Sequence, residues 1–320
     1  MAHFDVFNGD ADGILALLQL RKHAPIASEK ITGVKRDISL LKQVNAAPGD
    51  SVTVLDISME KNTDALQRLL EKKVDIFYAD HHRSGDVPVS THLEAHIDLS
   101  ADTCTSLIID KCLLGKYRTW AITAAYGDNL IGVADRLASK SRLSLGEMAY
   151  LRELGTLINY NGYGEIVDDL LFEPSALFDL LMGYESPFDL MEEKGSPYFL
   201  LKSAFEKDMQ KAKSTQPFYS DDVLDAFILP NEPASRRISG VWGNELANRS
   251  PQKSHLVLTT NSDDSYTVSL RAPLHNKRGA DEICSAFATG GGRAGAAGIN
   301  KLKTEEIETL IQKTVSFYKR

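Results

Sequence analysis

Along the first hundred residues, short apolar runs recur, each giving way to a polar or glycine-rich turn and then a stretch of helical period. The runs His3–Phe7, Ile31–Val34, Val52–Leu55, Val74–Tyr78 and Ala95–Ile97 predict strands, and Ile14–Lys22 and Thr63–Lys72 predict helices between several of them. Such alternation predicts an α/β fold whose N-terminal parallel sheet is doubly wound, with helices on both faces. From Ala101 to Gln210 the pattern turns helical, and Thr103-Cys104-Thr105-Ser106 marks a helix start before Leu107-Ile108-Ile109.

A polar stretch containing Pro217 then interrupts the chain. Beyond it, Val223–Leu229, His255–Thr259 and Tyr266–Leu270 read as strands, with a hairpin turn at Asn261-Ser262-Asp263-Asp264. The expected organisation is a domain over 1–210, a linker over 211–220, and a smaller C-terminal α+β domain over 221–320. A chain of 320 residues that is 43% hydrophobic can bury two such cores.

Charge narrows the partners. With 36 Lys plus Arg against 44 Asp plus Glu, the formal net charge is -8, the wrong sign for wrapping a long nucleic-acid duplex. A polyanionic ligand needs a local basic site or metal ions here. Cys104, Cys112 and Cys284 form no CxxC pair and no even framework, which suits a reducing compartment. Asp5, Asp10 and Asp12 interrupt the apolar run at the N-terminus, and nowhere do about 18 apolar residues follow one another. The reading is a cytoplasmic protein without membrane contact, with homodimerisation left open.

Acidic groups stand after several of the predicted elements: Asp10 with Asp12 in FNGDADG, Asp56 in VLDIS, Asp80-His81-His82, and Asp128 in Gly127-Asp128-Asn129. An open parallel sheet binds ligands outside the carboxyl ends of its strands, so these side chains are placed where loops converge. Taken singly, an Asp after a buried strand is more often a helix cap or turn residue. Gathered together, the carboxylates repel unless a cation sits among them, and an imidazole added to oxygen ligands suits manganese or a similar ion.

In this order the four motifs resemble those of the DHH phosphoesterase family. Ser269-Leu270-Arg271 and the run GGGRAGAAG over 290–298 resemble the substrate-binding signature of the DHH-associated C-terminal domain, within the RecJ-like and nano-RNase-like group. The resemblance implies two divalent ions, Mn2+ or else Mg2+, bridged by Asp56. Asp10 completes one site, and Asp12, His81 and Asp128 complete the other. It places His82 beside the scissile phosphate and gives Asp80 the task of orienting a neighbouring imidazole.

Two departures stand out. Many members have histidine where this chain has Asn8, whose neutral oxygen weakens the first site toward a transition ion. Arg293 likewise stands where histidine is common, and a guanidinium grips phosphate with paired donors. Arg271 and Arg293 are therefore read as the local basic site, with Gly290, Gly291 and Gly292 as a glycine-rich loop that lets backbone approach the substrate. Asn159-Tyr160-Asn161-Gly162-Tyr163-Gly164 reads as a turn between helices, with base stacking the less favoured alternative. The expected activity is metal-dependent hydrolysis of short linear oligonucleotides, dinucleotides of the pGpG type above all. The alternatives are a cyclic dinucleotide phosphodiesterase, a RecJ-like single-strand exonuclease, and a silent nucleotide-binding regulator.

Overall fold

A computed structural model describes residues 1–319 and separates into two compact units, Met1–Ser203 and the remainder from Ala204. The first is built on strands β1 (His3–Phe7), β2 (Glu29–Ile31), β3 (Ser51–Leu55), β4 (Asp75–Asp80) and β5 (Leu93–Ile97). They lie in the order β2-β1-β3-β4-β5, and every pair is parallel. Helix α1 (Ala11–His23) follows β1, and α2 (Thr63–Glu71) joins β3 to β4.

Side chains alternate across the strands, so the helices divide between two faces. Phe4, Val6, Val54, Ile76 and Tyr78 pack with Leu66, Leu69 and Leu70 of α2. Asp5 and Phe7 point to the other face, where Asp5 meets Arg21 of α1. In this strand order the chain reverses its winding direction between β1 and β3, and ligands in such sheets bind at that switch point.

The expected strand Ile31–Val34 is displaced: β2 ends at Ile31. Gly33 leaves the sheet because its carbonyl packs so closely on Gly9 that a Cβ there would lie 1.9 Å from it. The Val34 amide then donates to Asp37 Oδ2 at 3.0 Å, closing a turn.

Helices α3 (Thr105–Cys112), α4 (Arg118–Gly127), α5 (Ile131–Lys140), α6 (Leu145–Asn161) and α7 (Pro174–Met182) complete the unit. A reciprocal cap between Ser144 and Glu147 opens α6. The crossing of α4 and α6 requires small residues, since a Cβ on Gly155 would sit 2.1 Å from the Thr123 carbonyl. Gly127 likewise presses against Ala11 of α1, which delivers Asp128 to the start of that helix.

Helix α8 (Pro197–Lys213) runs across the division between the units, so the stretch 211–220 read as a linker begins in a helix. It ends in β6 (Tyr219–Ser220). The second unit continues with β7 (Leu224–Leu229), α9 (Pro233–Arg249), β8 (Ser254–Thr260), β9 (Tyr266–Arg271), α10 (Ala280–Ser285), β10 (Gly290–Arg293), β11 (Ala296–Leu302) and α11 (Ile307–Tyr318). The sheet order is β10-β11-β9-β8-β7-β6. Among the described residues of this sheet only β7 and β8 pair in parallel, with α9 as their crossover. The Asn261–Asp264 turn does join β8 to β9, and Asp264 takes φ 61°. Leu256, Leu258, Val268 and Leu270 bury one sheet face with Ile283 and Leu310.

The glycine run is not a loop. Gly290–Arg293 forms the edge strand β10, paired antiparallel with β11. Gly290 is required because a Cβ there would lie 1.8 Å from the Cys284 carbonyl, and Gly292 because its φ is 143°.

His255 on β8 is 1% exposed, and its Nδ1 has no hydrogen-bond partner. Burial depresses its imidazole to about 4, against the opposing pull of Asp225. An unfolded imidazole titrates near 6.5. Between those values the unfolded chain binds more protons, so stability falls as pH drops from 6.5 toward 4, by about 1.4 kcal/mol per pH unit at full slope. Denaturant midpoints followed across that window are expected to fall more steeply for the parent chain than for His255→Gln.

Candidate metal centre

Asp10, Asp12, Asp56 and Asp80 come from the carboxyl ends of β1, β3 and β4 and from the start of α1. All are at most 3% exposed. The tight turn FNGDADG depends on its glycines: a Cβ on Gly13 would lie 2.2 Å from the Asn8 carbonyl. Asp10 caps α1, its Oδ1 accepting from the amides of Asp12 at 2.9 Å and Gly13 at 3.1 Å. Asp12 reaches across to cap α3, accepting from the amides of Thr105 and Ser106 at 2.7 Å each.

Asp56 follows β3 with φ 59°, a left-handed conformation that Asp tolerates better than most residues and that clusters at functional sites. Its Oδ1 accepts from Thr105 Oγ1 at 3.1 Å and lies 3.4 Å from His81 Nε2. His81 Nε2 is also 3.8 Å from Asp12 Oδ2. His82 Nδ1 sits 2.7 Å from Asp80 Oδ1 and 3.8 Å from Asp56 Oδ1. Asp80 thus orients His82. Ligand atoms of Asp56, His81 and His82 all lie within 4.8 Å of one another, a spacing that could hold a metal ion. The side chain of His82 is 40% exposed against 4% for His81, which leaves it facing solvent and any incoming substrate.

The electrostatics of this group call for a cation. Burial raises the Asp56 carboxyl well above its ordinary range, and the neighbouring charges of Asp12, Asp10, Asp80 and Asp128 raise it further. Asp80 Oδ2 is buried with no hydrogen-bond partner. Oxygen donors with one or two imidazole nitrogens fit a divalent ion of the manganese type. Asp128, at the end of α4, acts on the group through its charge and precedes Asn129, whose φ is 62°.

Sequence reasoning missed Lys35. Its ammonium forms an ion pair with Asp10 Oδ2, donates to Asn159 Oδ1 at 3.1 Å, and lies 5.6 Å from the Tyr163 ring centroid. Burial pushes the Asp10 carboxyl up, but Lys35 and the helix amide of Gly13 together bring it down to about 2. Asn159, Gly162 and Tyr163, read as a surface turn, are therefore neighbours of the site. Tyr160 is fully buried and offers no stacking face. Thr105 and Ser106, legible only as a helix start, anchor Asp12.

In the second unit, register sets Arg271 opposite Ala296 and Ala296 opposite Arg293. Both arginines thus stand in one row on one sheet face, separated by a methyl group. Arg271 donates to Asn244 Oδ1 at 2.6 Å, Ser269 Oγ at 2.8 Å and the Gly240 carbonyl at 3.0 Å, which fixes its guanidinium against α9.

No protein-family model matches the chain, and no curated protein is similar to it in sequence. Solved structures are informative. The manganese-bound exonuclease RecJ aligns with a TM-score of 0.62 at 14% identity, over 100% of this chain and 90% of that one. A DHH-domain protein described as a member of a ribosomal-protein family aligns at 0.62 and 12% identity, over 99% and 86%. The chain therefore has a DHH-family fold. PggH, the pGpG-specific phosphodiesterase of Vibrio cholerae, aligns at a TM-score of 0.55 and 12% identity, over 100% of this chain and 99% of that one.

Proposed function

We propose that this protein is a metal-dependent phosphodiesterase that hydrolyses short linear oligonucleotides, dinucleotides of the pGpG type above all, to mononucleotides. The observation that carries the reading is Asp56: a buried carboxylate in a left-handed turn at the switch point of the sheet, grouped with His81 and His82 and surrounded by further carboxylates. Asp56, His81, Asp12 and Asp128 would hold a divalent ion, Mn2+ by the chemistry of the donors. When bound, such an ion lowers the pKa of its water and neutralises charge developing on the phosphoryl oxygens.

The rest falls to the chain's own groups. His82, held at Nδ1 by Asp80 and 40% exposed along its side chain, can donate from its ring to a phosphoryl oxygen or pass a proton to the leaving oxygen. Arg271 and Arg293 supply the local positive charge that the acidic composition otherwise lacks, suited to a terminal phosphate. The likeness to PggH supports a dinucleotide, and the net charge of -8 argues against a long strand. Among the described residues no helix is long and apolar enough to cross a membrane.

The test is a panel of 5′-phosphorylated dinucleotides, oligomers up to ten nucleotides, cyclic dinucleotides and pyrophosphate, each with Mn2+, Mg2+ or chelator. The expected result is mononucleotide release, fastest from dinucleotides with Mn2+ and abolished by chelator. Preference for cyclic dinucleotides or long single strands would overturn the substrate, and turnover unaffected by chelator would overturn the mechanism.

A further inference from the structure

The first cation position implied by a two-ion centre does not fit the residues around Asp10. Oδ2 of Asp10 already meets a full positive charge, the Lys35 ammonium, while its Oδ1 accepts from two helix amides. Asn8, where a ligand is expected, spends its Oδ1 on the Asp10 amide at 3.2 Å and its Nδ2 on the Lys35 carbonyl at 3.1 Å. Nothing at Asn8 is turned toward a metal.

Lys35 is held at several points. Its amide donates to the Gly162 carbonyl at 2.8 Å, its carbonyl accepts from Asn8, and its ammonium is shared between Asp10 and Asn159 over the ring of Tyr163. The close approach of Gly9 to Gly33 and of Gly162 to Asp10 packs the segment carrying Lys35 directly against the turn carrying Asp10. The Lys35 side chain remains only 29% exposed. A metal ion placed on Asp10 would have to displace this ammonium or sit beside it, and like charges at that distance repel strongly in a site so poorly solvated.

We propose that the Lys35 ammonium takes the place of the second divalent cation beside Asp10, so that this chain binds a single divalent ion, at Asp56 and His81. Lys35 then neutralises Asp10 permanently and acts as a fixed positive charge facing the phosphate. Asn8 and Lys35 form one device: asparagine braces the backbone of the lysine that replaces the ion a histidine would have ligated. The inference rests on the metal-dependent reading above and refines it.

The experiment counts ions rather than turnover. Titration of the full-length, metal-stripped chain with Mn2+ by calorimetry, with frozen-solution electron paramagnetic resonance of the product, is expected to give one ion per chain and an uncoupled manganese spectrum. Asn8→His combined with Lys35→Ala is expected to bind two ions and show spin coupling, whereas Lys35→Arg stays at one. Circular dichroism confirms that each variant is folded. A variant pair that does not fold is replaced by Lys35→Met with Asn8 retained, which is expected to gain a weaker second binding event. Two ions in the parent chain, or one in both the parent and the folded charge-removed variant, would overturn the role of Lys35 while leaving metal-dependent hydrolysis intact. No ion in any form would overturn the metal-dependent reading itself and this proposal with it.

Discussion

Asp56→Asn is expected to silence hydrolysis and, at the same time, to stabilise the metal-free chain. Asparagine tolerates the left-handed conformation that Asp56 adopts at φ 59°, so the turn after β3 survives the exchange. Loss of the ligand proposed above is expected to exceed the 10- to 100-fold cost typical of residues that merely support ligands, giving a drop of at least about 10³ in kcat/KM. Stability moves the other way. Burial and four neighbouring carboxylates raise the Asp56 carboxyl, so in the absence of metal the folded chain holds a proton that the unfolded chain releases near its ordinary value of 3.8. As pH rises above that value the folded form of the parent loses stability until its own carboxyl ionises, a penalty the neutral amide never incurs. Thermal melts in chelator at neutral pH should therefore show Asp56→Asn above the parent. Added Mn2+ should reverse the order, raising the parent's midpoint and leaving the variant's unchanged. A variant that melts below the parent in chelator would show that Asp56 is not the strained carboxylate described here.

The parts of this centre that were legible in the sequence are those set by short stretches. The apolar runs of β1, β3 and β4 are short and distinct, and Asp10, Asp56 and Asp80 fall at or within a few positions of each strand end. Lys35 was not legible, because its approach to Asp10 depends on Gly33 leaving the sheet after Ile31 and on Gly162 returning from the far end of α6. Neither contact leaves a local pattern. The glycine run 290–298 was misread for a related reason: strand pairing uses backbone groups, and β10 takes its register from β11 without any alternation of side chains to reveal it. Polarity at Lys211–Lys213 likewise cannot distinguish a linker from the solvated last turn of a helix, and Lys and Ala favour the helix.

Arg21→Met is expected to be among the most destabilising single changes in the first unit, and to do so without altering metal affinity. Asp5 is fully buried in the middle of β1, where the face pattern calls for an apolar residue, and Arg21 is 6% exposed. The guanidinium meets both carboxylate oxygens, with Nε to Oδ2 at 2.9 Å and Nη2 to Oδ1. Ser28 Oγ and His3 Nε2 fill the remaining positions at 2.5 Å and 3.2 Å, and Thr53 Oγ1 accepts from Nη2 at 2.9 Å. Burial pushes the Asp5 carboxyl up, yet these partners together bring it below its ordinary value of 3.8. Its share of stability is accordingly complete above that pH and is lost as pH falls through the lower folded value. Removing Arg21 strands a carboxylate in the sheet, at a cost of about 3–5 kcal/mol. Removing both charges as Asp5→Leu with Arg21→Met leaves no orphan, and the double variant should recover most of that loss because a desolvated pair contributes little net stability over an apolar pair of similar volume. Denaturant unfolding of the single and double variants measures the difference directly. Mn2+ titration should return the parent's affinity in each folded variant, since Asp5 lies on the strand body and the ligands lie beyond its end. A double variant no more stable than Arg21→Met would show that packing around the guanidinium, not the buried charge of Asp5, sets the cost.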